Sequence, residues 1–147
     1  MRIDDELFLF SDIEGQLDTK SSRSLLKKTS HGYERDDFAH EQSLIVTEGD
    51  KAVLFSGCSH RGIGNILRAA DKHQSMIQAV FGGFHLYNPA TKAVEPAEVV
   101  ERLAVELSVW ETVFYTGHCT GKSAYGIMRG SMGERIQYFS TGTVIDI

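Results

Sequence analysis

The chain of 147 residues has two cysteines, Cys58 and Cys119, and two prolines. Two cysteines cannot supply the disulfide framework of a small secreted domain. Each sits in a motif-like context of glycine, serine or threonine that also holds a histidine, so they read as ligating or reactive thiols. Long apolar runs are missing too: nothing approaches the about 20 residues of a membrane span. The first residues, Met1 to Asp5, are acidic where a signal peptide is basic and then apolar. The expectation is a cytoplasmic protein with no membrane contact. The formal net charge is −5 and no basic stretch is concentrated anywhere, which disfavours a nucleic-acid partner. Internal repeats and low-complexity segments are absent. What remains is small-molecule chemistry on an ordinary globular chain, one domain or part of one, with 41% hydrophobic and 24% charged residues.

The elements read as an α/β pattern. Leu7 to Phe10 is a short apolar run suited to a buried strand. Residues 15–37 are polar and aperiodic and read as a long loop. Ser43 to Thr47 and Ala52 to Phe55, joined by Glu48-Gly49-Asp50, read as a hairpin. From Ile63 to His73 the apolar Ile63, Ile66, Leu67 and Ala70 recur at helical spacing. Ala79 to Phe81 is a buried strand closed by Gly82-Gly83. A second helix follows, opened by Pro96, with Val99, Val100, Leu103, Ala104 and Leu107 as its apolar face. Glu111 to Tyr115 reads as a strand, Lys122 to Arg129 as a helix, and Ile136 to Phe139 with Val144 to Ile147 as a terminal hairpin around Gly142.

Four histidines stand where a predicted strand starts or ends among small residues: His40 after Asp36-Asp37, His60 in Gly57-Cys58-Ser59-His60, His85 in Gly82-Gly83-Phe84-His85, and His118 in Gly117-His118-Cys119-Thr120-Gly121. Small neighbours let the chain turn sharply and leave an imidazole open to a ligand. Any one such histidine is more often a hydrogen-bonded structural residue. Together with two cysteines and an acidic pair they supply the donor types that zinc and related metals select. His31, in the polar loop, and His73, at a helix end, read as solvated surface.

The succession His40-Glu-Gln-Ser-Leu-Ile-Val, Gly57-Cys58-Ser-His60-Arg-Gly-Ile, Gly82-Gly-Phe-His85-Leu and Gly117-His118-Cys119-Thr-Gly resembles the metallo-β-lactamase superfamily. More narrowly it is similar to the branch of dihydropterin ribofuranosyl-aminobenzene phosphate synthases. The resemblance covers residues 36–147 and implies the C-terminal half of an αββα sandwich, one mixed sheet with helices on one face. On that division residues 1–14 are a strand from the middle of the parent fold, 15–37 a loop, and 38–147 the half-domain.

In that superfamily a His-x-His-x-Asp-His motif in the first half and single residues from the second hold two metals. By position, the resemblance implies His40, Cys58 and His118 as metal ligands, with Cys58 where an aspartate usually bridges. His60, an alternative ligand from the same turn, and His85 would face the substrate, and Thr120 and Gly121 would contact an anion. The His-x-His-x-Asp-His motif does not occur in this chain. The implied protein is a hydrolase using zinc or another divalent metal on a small, phosphorylated substrate, incomplete alone, and needing self-association or a complementing N-terminal half. Two alternatives stand beside it: a non-catalytic fragment or assembly subunit that has lost the dinuclear site, and a thiol hydrolase using Cys58 and His60. Residues two apart usually lack the geometry that a nucleophile and its base require, which ranks the thiol hydrolase last.

Overall fold

The computed structural model describes residues 1–17, 19–74 and 76–147. In chain order the elements are β1 (Leu7–Phe10), α1 (Lys20–Arg23), β2 (Leu26–Thr29), β3 (Gly32–Arg35), β4 (Ser43–Glu48), β5 (Lys51–Ser56), α2 (Ile63–Asp71), β6 (Ala79–Gly82), β7 (Tyr87–Asn88), β8 (Ala93–Val94), α3 (Ala97–Leu107), β9 (Val113–Thr116), α4 (Lys122–Met132) and β10 (Ile136–Tyr138). Six strands form one mixed sheet in the order β1-β4-β5-β6-β9-β10. β1, β4 and β5 pair antiparallel, whereas β5, β6, β9 and β10 run parallel. Parallel neighbours need crossover connections, and the helices α2, α3 and α4 lie in them.

Strand register sorts side chains between the two faces. Phe8, Ile45, Leu54, Val80, Phe114 and Ile136 are aligned across the sheet. All but Phe8 are buried, and they share one core with Ile63, Ile66, Leu67 and Ala70 of α2, Val100, Leu103, Ala104 and Leu107 of α3, and Ala124, Met128 and Met132 of α4. The helices therefore cover a single face. Each such large apolar side chain contributes about 1.5–3 kcal/mol on burial. On the opposite face the same register aligns Leu44, Phe55, Phe81 and Tyr115. The Phe55 and Phe81 rings stack at 5.2 Å, and Phe81 and Tyr115 at 4.6 Å, while Phe55 keeps 41% of its surface exposed.

The register also fixes where loops emerge. Ser43 opposes Ser56, and Gly82 opposes Thr116, so β4 begins where β5, β6 and β9 end. Segments 38–42, 57–62, 83–86 and 117–121 leave the sheet at one edge, the carboxyl end of its parallel strands, where ligands bind in open α/β sheets. No helix among the described residues is long and apolar enough to cross a membrane.

Three segments differ from the expectation. The polar stretch 15–37 is not a continuous loop: it holds α1 and the β2–β3 hairpin, a small separate sheet. Lys27 lies 3.6 Å from Glu34 and 2.9 Å from Asp37, and the Asp36 N–H donates to Leu25 O at 3.0 Å. Both faces of this hairpin are largely wet, so no apolar alternation marks it. The expected terminal hairpin is absent. Strand β10 follows the crossover α4 and so pairs parallel to β9, and beyond it a turn at Ser140–Thr143 leads into residues without strand pairing. The short β7–β8 hairpin gave no recognisable pattern.

Phe114, on β9 between β6 and β10, is fully buried and edge-on to Phe84 at 6.3 Å. Phe114→Ala is expected to cost about 3–5 kcal/mol, read as a lower urea midpoint at unchanged slope.

Candidate metal centre

Three turns build the site, and hydrogen bonds brace them against one another. The Thr120 hydroxyl accepts the Phe84 N–H at 2.9 Å and lies 2.5 Å from the Thr116 hydroxyl, which reaches Gly82 O at 2.9 Å. These bonds tie 117–121 to 82–86. The Gly83 N–H donates to Gly57 O at 2.8 Å and adds the third turn. That turn, 57–62, is itself capped by Glu41, whose carboxylate accepts the His60 and Arg61 N–H groups at 2.7 and 2.8 Å. The Arg61 guanidinium then donates to Ile13 O, Gly15 O and Asp37 O, fastening the N-terminal segment alongside.

Backbone strain collects here. Phe38, Ser59, His85 and His118 have φ of 52°, 56°, 48° and 48°, and the described residues hold only two other non-glycine positions of positive φ, Met76 and Lys92. Left-handed conformation is disfavoured for residues with a Cβ and persists where surrounding contacts enforce it, often at functional sites. Gly83 serves a different need: a Cβ there would lie 2.5 Å from Cys119 Sγ.

The donor atoms of Cys58, His118 and Cys119 all lie within 4.8 Å of one another, with Cys119 buried, Cys58 half-buried and His118 exposed. Cys119 Sγ approaches Cys58 O at 3.6 Å. The adjoining Cys119 thiol, then His60, and the charge of His60 and His118 pull the Cys58 pKa down to about 3. The Cys58 side chain, with burial, pushes the Cys119 pKa up. These shifts favour the thiolate at Cys58 and the thiol at Cys119.

His60 lies between two rings, stacked on Phe38 at 4.5 Å and tilted against His85 at 4.1 Å. Burial, and then the neighbouring His60, lowers the His85 pKa and favours its neutral form. Among the described residues, the buried Nδ1 atoms of His60 and His85 have no hydrogen-bond partner. Buried polar atoms in that condition call for a ligand or water. Two sulfurs and an imidazole, with two more imidazoles adjoining, fit a borderline-soft divalent metal.

The sequence-derived residues divide. Cys58 and His118 converge, and His60 and His85 adjoin them. His40 stands at the rim, its side chain 71% exposed, 3.9 Å from Asp36 and 6.1 Å ring-to-ring from Phe38, outside the cysteine group. The Thr120 hydroxyl is fully buried and engaged within the fold. The Gly121 N–H donates to His118 O at 3.3 Å, and a Cβ at Gly121 would lie 2.8 Å from Tyr87 Cβ. Cys119 reads with Cys58 as a ligating or reactive thiol, but the ligand set that the resemblance implies leaves it out. The sign available was its place beside His118, together with the glycine pair before Phe84 that clears room for its sulfur.

Sheet, one-sided helix layer and loop edge form a half-sandwich fold that a solved structure shares. The chain superimposes over its whole length on 56% of Tm1679, a metal-dependent hydrolase of the β-lactamase superfamily, with a TM-score of 0.78 and 24% identity. In sequence it is similar to 7,8-dihydropterin-6-methyl-4-(β-D-ribofuranosyl)-aminobenzene-5'-phosphate synthase of Methanocaldococcus jannaschii, 25% identical in an alignment 146 residues long that covers 95% of this chain and 48% of that protein. The chain thus spans about half the length of each. No protein-family model matches it.

With its thiol held at about 3, Cys58 stays ionised through pH 5–8, so its alkylation by iodoacetamide should be nearly flat over that range. An ordinary thiol, with a pKa near about 8.5, slows about tenfold per unit of acidification. Peptide mass spectrometry separates the rate of Cys58 from that of Cys119, and a tenfold fall per unit at Cys58 would show it protonated.

Proposed function

We propose that the chain supplies half of the active site of a metal-dependent hydrolase acting on a small phosphorylated molecule. The observation that carries this reading is the convergence of Cys58, His118 and Cys119 at the carboxyl edge of the sheet, beside two imidazoles whose buried Nδ1 atoms have no partner among the described residues. The resemblance in fold to a metal-dependent hydrolase supports it. A phosphorylated substrate is carried over from the 5'-phosphate in the name of the synthase relative. The remaining ligands come from a complementing half whose sheet covers the aromatic face around Phe55.

Cys58 and His118 would hold the metal, zinc by the softness of the donors, and His40 would join from the rim once the other half orders it. A bound divalent metal lowers the pKa of water from about 15.7 to about 7 and polarises the scissile group. The chain's own residues do the rest. His85, held neutral by burial, presents an imidazole able to accept a proton or hydrogen-bond a substrate oxygen. His60, fixed between Phe38 and His85, keeps that imidazole in place. Glu41 and Arg61 hold the turn that carries Cys58 and His60.

Turnover of p-nitrophenyl phosphate and bis(p-nitrophenyl) phosphate by the protein in its native assembly is the test. Chelation is expected to abolish it and zinc to restore it, and Cys58→Ala to lower kcat at least about tenfold to a hundredfold, the loss that even outer partners of metal ligands produce. Turnover insensitive to chelation would overturn the metal mechanism. A stable assembly without esterase activity would favour the non-catalytic subunit.

A further inference from the structure

We propose that Cys119 is a metal ligand, and that with Cys58 and His118 it forms a three-ligand sulfur–nitrogen site that holds one zinc ion within this chain alone. The inference deepens the hydrolase reading, on which its choice of a divalent metal rests. The superfamily pattern leaves only Cys58 and His118 for that metal here, and two ligands do not hold zinc tightly.

Geometry supplies the third. The three donor atoms lie within 4.8 Å of one another. Around a tetrahedral zinc with bonds of about 2.0–2.3 Å, neighbouring donors are about 3.5–3.8 Å apart. An inward shift of about 1 Å, within reach of side-chain rotation, closes the set. The turns bearing these residues are already locked together through Thr120, Phe84, Gly83 and Gly57, so ordering them for the metal carries little extra entropic cost.

The surroundings of Cys119 suit a ligand. Its sulfur points out of the hydrophobic core toward Cys58 and lies over a glycine whose Cβ would strike it. His118, the residue before it, adopts φ 48°, which brings two consecutive side chains to one point. Two thiolates and one imidazole select zinc over magnesium or calcium and leave a fourth position open, the composition of catalytic zinc sites.

The reduced 147-residue chain is dialysed against zinc and analysed for metal, and both cysteines are probed with iodoacetamide with and without zinc. One equivalent of zinc is expected, with Cys58 and Cys119 both protected and both released by EDTA. Cys119→Ser should lower zinc affinity at least about tenfold in competition with a chromogenic chelator. Protection of Cys58 alone would overturn the proposal, as would unchanged affinity in C119S. So would protection that persists without metal and yields to a thiol reductant, the mark of a Cys58–Cys119 disulfide. The labelling uses wild-type protein and stands even where the variant misfolds. Zinc held through Cys119 without metal-dependent turnover in the assembly would remove the hydrolase reading and leave this site. Metal-dependent turnover with unprotected Cys119 would do the reverse.

Discussion

The site depends on a hydrogen-bond bracket that none of its reactive groups takes part in. The hydroxyls of Thr116 and Thr120, the Phe84 N–H and Gly82 O form one buried cluster, and the Gly83–Gly57 bond extends it to the cysteine turn. Hydrogen bonds of this kind are individually modest, about 0.5–1.5 kcal/mol net, but leaving one partner buried and unmade costs more than the bond contributes. The three turns are therefore coupled: loosening one strands polar groups in the other two. Parallel register brings the strand ends to one edge, and the bracket turns that coarse alignment into a cluster of donor atoms.

Electrostatics follow from the same closeness. Because Cys58 and Cys119 are brought together beside His60 and His118, the Cys58 pKa is pulled down and the Cys119 pKa pushed up. A carboxylate at position 58 would offer a harder oxygen donor, so the cysteine changes the ligand type of the site. His85 is driven toward its neutral form by burial. Ionised sulfur and neutral imidazole stand within one small volume, an arrangement suited to binding a cation and then handling a proton beside it.

Hydrophobic periodicity made most of the architecture legible. α2 and α3 announce themselves by apolar residues at helical spacing, and β4–β5 by two apolar runs around a glycine turn, because each buries one face. The β2–β3 hairpin was invisible for the same reason: with both faces in water, nothing forces its residues to alternate. The orientation of β10 was misread because pairing direction is set by the helix before it and not by the strand's own residues. At the site, motif chemistry singled out Cys58, His60, His85 and His118. Cys119 stayed outside the implied ligand set because consecutive residues on regular structure diverge, and only the left-handed turn at His118 reunites them. Thr120 was taken for an anion contact, a role for an exposed hydroxyl, while its burial depends on the bracket and cannot be seen locally.

The four left-handed residues around the site have a consequence for how this protein can change. Positions held at positive φ are those where glycine relieves strain, by about 1–2 kcal/mol for a residue bearing a Cβ. Ser59 could take that substitution and lose little beyond one hydroxyl contact with Ser56. At His85 and His118 the same change would remove an imidazole. Selection for heat resistance alone would therefore tend to erode the chemistry, and a lineage that retains both histidines in strained backbone is one in which the work they do has outweighed the stability forgone.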